Sequence, residues 1–132
     1  MSEPLITFKG YNIEKIVYSK ELLNIDYILD TNEEQEFGLS VEQSISEDLK
    51  KAILTLTVQL NNKEREIYIL TEIDSYFEIN NLGSIEEIKN VLLVNGTAIV
   101  YPYIRSIISM ITSLDSGNAI VLPTINTTTL SE

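Results

Sequence analysis

Residues 52–60 read Ala-Ile-Leu-Thr-Leu-Thr-Val-Gln-Leu, and this strict two-residue alternation constrains the chain more than any other feature. Ala52, Leu54, Leu56, Val58 and Leu60 fall on one side of an extended strand, with Ile53, Thr55, Thr57 and Gln59 on the other. Asn61-Asn62 tolerates positive φ and predicts a hairpin turn. The returning strand, about 66–79, sets Ile67, Ile69 and Ile73 on one face and Tyr68, Leu70 and Glu72 on the other. Upstream, a strand over about 5–29 changes phase at Gly10, the mark of a bulge, and resumes its alternation at Ile25, Tyr27 and Leu29. An acidic loop at 30–36 leads to a strand over about 37–46 holding Phe37, Leu39, Val41 and Ile45. Consecutive strands joined by short turns predict a four-stranded antiparallel sheet.

One long helix, about 84–114, is predicted to pack on that sheet, giving an α+β fold. Residues 81–84 break the strand pattern. Ser84 can cap the helix, and Glu86 and Glu87 suit the positive end of its dipole. Ile85, Ile88, Val91 and Leu92 form its first apolar stripe; Ile104, Ile107, Ile108, Ile111 and Leu114 form the second. Asn95-Gly96 and Pro102 predict a kink between Val94 and Pro102. The face opposite the second stripe, Arg105, Ser106, Ser109, Thr112 and Ser113, lacks the Lys and Glu of an ordinary solvent face. It predicts a contact with another subunit. An apolar strip at 119–125, stiffened by Pro123, reads as an edge strand or a docking segment. Beyond it, 127–132 reads as a loose tail.

One helix offers limited cover, so Tyr76, Phe77, Ile79 and the strip with Ile120, Leu122 and Ile125 are expected to be met by a partner or ligand. Chemistry has no comparable support. The chain has neither Cys nor His, which disfavours structural zinc and nucleophilic dyads. Glu33, Glu34 and Glu36 read as solvated loop acids, and Ser116-Gly117 lacks the frame of a nucleophile elbow. No phosphate-cradling glycine motif occurs, so neither catalysis nor a cofactor or metal is expected. A net charge of −11 argues against nucleic acid and suits a basic partner. At 132 residues the whole of 1–132 is read as one domain. Its start, MSEPLITFKG, shows no signal peptide, and the apolar runs fall short of the roughly 20 residues of a bilayer span. A soluble cytoplasmic protein without membrane insertion is therefore expected.

Asn95-Gly96-Thr97-Ala98-Ile99, then Tyr101-Pro102-Tyr103, Arg105-Ser106-Ile107-Ile108 and Leu122-Pro123-Thr124-Ile125-Asn126 occur in this order. The series resembles the signature region of the SecB protein-export chaperones. That resemblance implies a homotetramer, a dimer of dimers assembled through the long helix. It implies an ATP-independent holdase that binds unfolded precursor polypeptides in apolar grooves and passes them to the SecA translocation motor. Residues matching the groove in type are Tyr76, Phe77, Ile79, Ile120, Leu122 and Ile125; those matching the acidic motor-docking face are Glu21, Leu70 and Glu72. Thr127 stands where the family usually has an aromatic, and the family's second helix and tail have no counterpart in 127–132. The resemblance thus describes a shortened member, which leaves two other readings open. One is a chaperone dedicated to an antitoxin or another single client; the other is a binding or structural module without chaperone activity.

Overall fold

A computed structural model describes residues 4–25, 27–31, 33–81, 83–115 and 117–131. Asp26, Asn32, Leu82, Ser116 and Glu132 of the segments singled out above lie outside the described residues. The strands are β1 (Ile6–Ser19), β2 (Asp30–Thr31), β3 (Gln35–Ile45), β4 (Lys51–Asn62) and β5 (Ile67–Ile79). They form one antiparallel sheet in the order β1-β5-β4-β3-β2. Five strands replace the expected four. The reason lies in the topology: β1 pairs with β5 at one side of the sheet, so the chain must cross to the opposite side before β3 can begin. Residues 20–25 and 27–29 belong to that crossing, and the predicted strand over 5–29 ends at Ser19.

The crossing is fixed by two contacts. Buried Asn61, on the sheet face away from the helix, donates from Nδ2 to the Leu23 carbonyl at 2.7 Å and accepts from Leu23 N at 3.3 Å. Farther on, the segment lies directly against Gly38, where an added Cβ would overlap the Tyr27 carbonyl oxygen and Ile25 Cγ2. Leu29 N then donates to Phe37 O at 2.7 Å and begins the short β2 pairing. Asn61 is therefore a sheet residue. The β4–β5 turn comes later, with Glu66 at φ 54° and Arg65 N donating to Asn62 Oδ1 at 2.9 Å.

The bulge at Gly10 is present, with φ at 127°, and a second register shift falls between Ile13 and Lys15. The helix is unbroken in direction of chain but not uniform. Helix α1 (Ile85–Val91) passes through a π turn at Leu92–Gly96 into α2 (Thr97–Leu114). The expected kink is thus a local widening at Asn95-Gly96, where i→i+5 bonding takes one extra residue into the turn. Pro102 and Ala98 are both exposed, so the carbonyl that Pro102 cannot bond is not sealed in the core. Ser84 Oγ accepts from Glu87 N at 3.2 Å, capping α1 as its sequence predicts.

One sheet face carries the core. Leu54, Leu56, Val58 and Leu60 of β4 and Ile67, Ile69, Ile73 and Phe77 of β5 are buried beneath Ile88, Leu92, Val100, Ile104 and Ile108. Gly96 permits this approach, because a Cβ there would stand 3.1 Å from Leu54 Cδ2. The 30 residues of Ile85–Leu114 are long and apolar enough to cross a membrane, yet their apolar stripe lies on the sheet. Leu114 departs from the predicted stripe and is 82% exposed.

Gly38→Ala would force the crossing segment off the sheet. We expect a loss of about 1–3 kcal/mol in a urea titration, the usual cost of overpacking. An unchanged midpoint would show that residues 25–27 do not need this contact.

Candidate functional site

The C-terminal strip, 119–126, lies beside α2 and is held there by the helix's small polar residues. Thr112 Oγ1 donates to Ile108 O at 2.8 Å and accepts from Ile120 N at 2.8 Å. Ser109 Oγ donates to Ile120 O at 3.1 Å, and Tyr101 Oη donates to Pro123 O at 2.6 Å. Arg65 Nη1 donates to Asn118 O at 2.6 Å where the chain turns back. At the end of α2, Tyr18 Oη donates to Asp115 Oδ2 at 2.5 Å, and Lys20 pairs with the same oxygen. Burial and the neighbouring Asp115 raise the Tyr18 pKa; burial pushes Tyr101 up to about 12.

An extended strip anchored this way must alternate. Ile120 and Leu122 point into the core, whereas Val121 is 60% exposed and Pro123 and Ile125 are half-buried. A trench runs along the outward side. One hollow of about 100 Å³ lies among Asp30, Phe37, Leu60, Val121 and Pro123. It shares Asp30, Phe37 and Pro123 with the next, of about 210 Å³, which extends past Leu29 and Ile125 to Leu130. A third, of about 170 Å³, continues from Ile125 to Tyr101, Pro102 and Arg105 of the helix. Arg105 Nε is buried there without a hydrogen-bond partner. At the same end, Leu29 lines the trench, and the crossing segment before it leaves Leu22, Leu23, Ile28 and 65%-exposed Tyr27 as an apolar shoulder that runs round the β2–β3 edge onto the face away from the helix.

The predicted groove residues therefore separate. Only Ile125 lines the trench. Ile120, Leu122, Phe77 and Ile79 are buried in the core, because their strand parity directs them inward. Half-buried Tyr76 lies on the opposite sheet face, beyond the trench. Val121 and Pro123 belong to the strip that the sequence offers as a docking segment; Tyr27, Leu29 and Phe37, expected only as strand residues, complete the trench and shoulder. The usable signal was the density of apolar residues in 22–29, too high for an ordinary surface loop.

The hydroxyl face divides as well. Thr112 is fully buried, Ser109 and Arg105 are half-buried, and only Ser106 and Ser113 are exposed. Ser106 and Ser113 bond back to Pro102 O and Met110 O within the helix. The outward stripe of α2 is instead Ile99, Tyr103, Ser106, Met110 and Ser113, a 4-3-4-3 spacing. It joins an aromatic cluster in which Tyr103 lies 5.1 Å from Tyr11 and 5.6 Å from Phe8, ring centre to ring centre. Exposed Ile13 and Ile16 of β1 extend this second apolar surface.

On the face away from the helix, Leu70 and Glu72 share one side of β5, opposite Val17 and Lys15 of β1. Glu72 accepts from Thr57 Oγ1 at 3.1 Å. Glu21 is exposed just beyond the end of β1. Among the described residues, no three acidic side chains converge as a metal site requires.

Comparison with known proteins follows the same lines. The model of the family described as "SecB: Preprotein translocase subunit SecB" matches residues 18–131. An uncharacterized protein of Methanocaldococcus jannaschii is 24% identical over 114 residues, covering 78% of this chain and 73% of its own. A SecB-like chaperone of Mycobacterium tuberculosis, solved with a peptide from an antitoxin, superposes with a TM-score of 0.69 at 11% identity. That superposition covers 91% of this chain and 87% of the other, and it establishes likeness of fold.

Tyr101→Phe removes the bond that holds Pro123. Stability at pH 7 should fall by about 1 kcal/mol. Because the folded-state pKa of Tyr101 is raised, its proton stabilises the fold below the unfolded value, and that contribution is lost as pH rises from about 10 to 12. Denaturant titrations across this range should show a shallower alkaline loss in the Phe variant.

Proposed function

The chain belongs to the SecB family, and from this premise we propose that it is an ATP-independent holdase. Non-native polypeptide would lie in the trench along the C-terminal strip. The observation carrying this reading is the run of three connected hollows beside exposed Val121, with the apolar shoulder at Tyr27. Apolar burial contributes about 25 cal/mol per Å² before ordering costs, so several shallow contacts in series can hold an extended chain without reading its sequence. Side chains here need only be apolar and accessible. No step requires bond chemistry.

A narrower reading has its own support. The fold is shared with a chaperone solved together with an antitoxin peptide, and dedication to one such client would use the same trench. Export is a further possibility within the proposal: Glu21, Leu70 and Glu72 would present the translocation motor with an acidic, partly apolar surface. Assembly would use the Ile99–Tyr103–Met110 stripe with the β1 edge, first as a dimer and then as a dimer of dimers, in the cytoplasm.

The test is suppression of aggregation of several unrelated, chemically denatured proteins without ATP. Val121→Asp with Tyr27→Asp should raise the chaperone concentration needed by about tenfold, the equivalent of one apolar side chain's burial. Its thermal midpoint should match that of the parent. Equal protection by parent and variant would remove the trench from the mechanism. Protection of one client alone would favour the dedicated reading. Phe77→Asp is unsuitable, since Phe77 is 2% exposed and a charge there would unfold the protein.

Light scattering addresses assembly. Tyr103→Glu with Met110→Glu should lower the solution mass, and a parent protein with the mass of one chain would overturn helix-mediated assembly.

A further inference from the structure

We propose that the sheet face away from the helix carries a second binding site, for a small carboxylate with an aromatic or branched apolar body. It lies at the end of the sheet remote from the trench. Strand register sets Ser44, Ile53, Tyr76 and Gly10 side by side in one row across β3, β4, β5 and β1. Two large apolar side chains thus stand between a serine and a glycine. A Cβ built on Gly10 would meet nothing within 4 Å, and Asn12 Nδ2 donates to Tyr76 Oη at 2.9 Å, which holds the ring as one wall of a depression. The depression that results measures about 460 Å³, within the range of small-molecule sites.

Charge selects its occupant. Lys51 pairs in register with Glu78, and Lys9 Nζ lies 3.7 Å from Glu78 Oε1, so two lysines and one glutamate line the rim, with Asp48 outside it beside Lys50 and Lys51. Lys9 comes from the bulge between Phe8 and Gly10, the extra residue that reaches this rim. Elsewhere on the same face Glu42, Glu72 and Asp74 outweigh Lys15, on a chain whose net charge is −11. An anion is therefore favoured at this end alone, with its head at the lysines and its apolar part against Ile53 and Tyr76. The floor belongs to paired strands whose backbone groups are consumed in the ladder. A peptide would find no main-chain partners here, which favours a small molecule recognised by its body and its charge.

The test titrates the full chain with 3-phenylpropionate and, separately, neutral 3-phenylpropionamide, followed by isoleucine-methyl NMR. The acid should shift the Ile53 methyl saturably, and the amide should bind at least about threefold more weakly, the scale of an exposed ion pair. Lys51→Gln, which keeps an apolar stem at an exposed position, should remove the difference between acid and amide. An Ile53 methyl unmoved up to about 10 mM acid, a regime weaker than millimolar affinity, would overturn the proposal. Equal binding of acid and amide, an unaltered preference in Lys51→Gln, or shifts confined to trench isoleucines such as Ile125 would overturn it too.

Discussion

A single helix covering a single apolar sheet face is the constraint on which the rest of this molecule depends. The alternation in β4 and β5 leaves eight large side chains needing cover, and Ile88 through Ile108 supply it along one line. A helix with side chains is about 10–12 Å across, whereas five strands spaced near 4.8 Å extend about 20 Å. Both flanks of the sheet therefore lie beyond the helix. On the β1 side Tyr103 reaches Phe8 and Tyr11, and beyond them the flank stays open, with Ile13 49% exposed. On the β3 side the C-terminal strip covers it, burying Ile120 and Leu122 over Phe37 and Leu60.

The two flanks explain the two apolar surfaces. The strip is too narrow to seal the β3 side, because an extended segment buries only every second residue. Its outward row, Val121, Pro123 and Ile125, becomes one wall of a trench whose other wall is Leu29, Asp30 and Phe37. The same hydrogen bonds that stabilise the strip thus fix the trench geometry. Ser109, Thr112 and Tyr101 hold its backbone, not its side chains, so the outward row is free to differ in sequence without loss of anchoring.

Much of this was legible in the sequence. The period-two pattern of β4 and β5, the bulge at Gly10, the Ser84 cap and the helical stripes all express local physics, and each appears where its residues place it, apart from exposed Ile85 and Leu114 at the ends of the stripes. The crossing segment was not legible, because the alternation of Ile25, Tyr27 and Leu29 is the same whether the chain pairs or merely passes over a sheet. What distinguishes the two is long-range: Asn61 receiving Leu23, and Gly38 leaving room for Tyr27. The hydroxyl face of α2 misled for a related reason. Small polar residues on a helix signal close backbone approach, but they do not say whether the approaching backbone belongs to another subunit or to residues 119–126 of the same chain.

The π turn at Leu92–Gly96 connects these features. Without it, an ideal helix continuing from α1 would present a different face after one more turn, since a sixth residue rotates all that follows by about 100° relative to a straight α-helix. Gly96 at its end rests on Leu54 and Phe77, so the rotation is fixed where the helix touches the sheet most closely. It is this fixed rotation that aims Ile104 and Ile108 at the core, Tyr101 and Thr112 at the strip, and Tyr103 and Met110 outward. Asn95-Gly96, a weak pair in helix propensity, is therefore the local defect that lets one helix serve three surfaces at once.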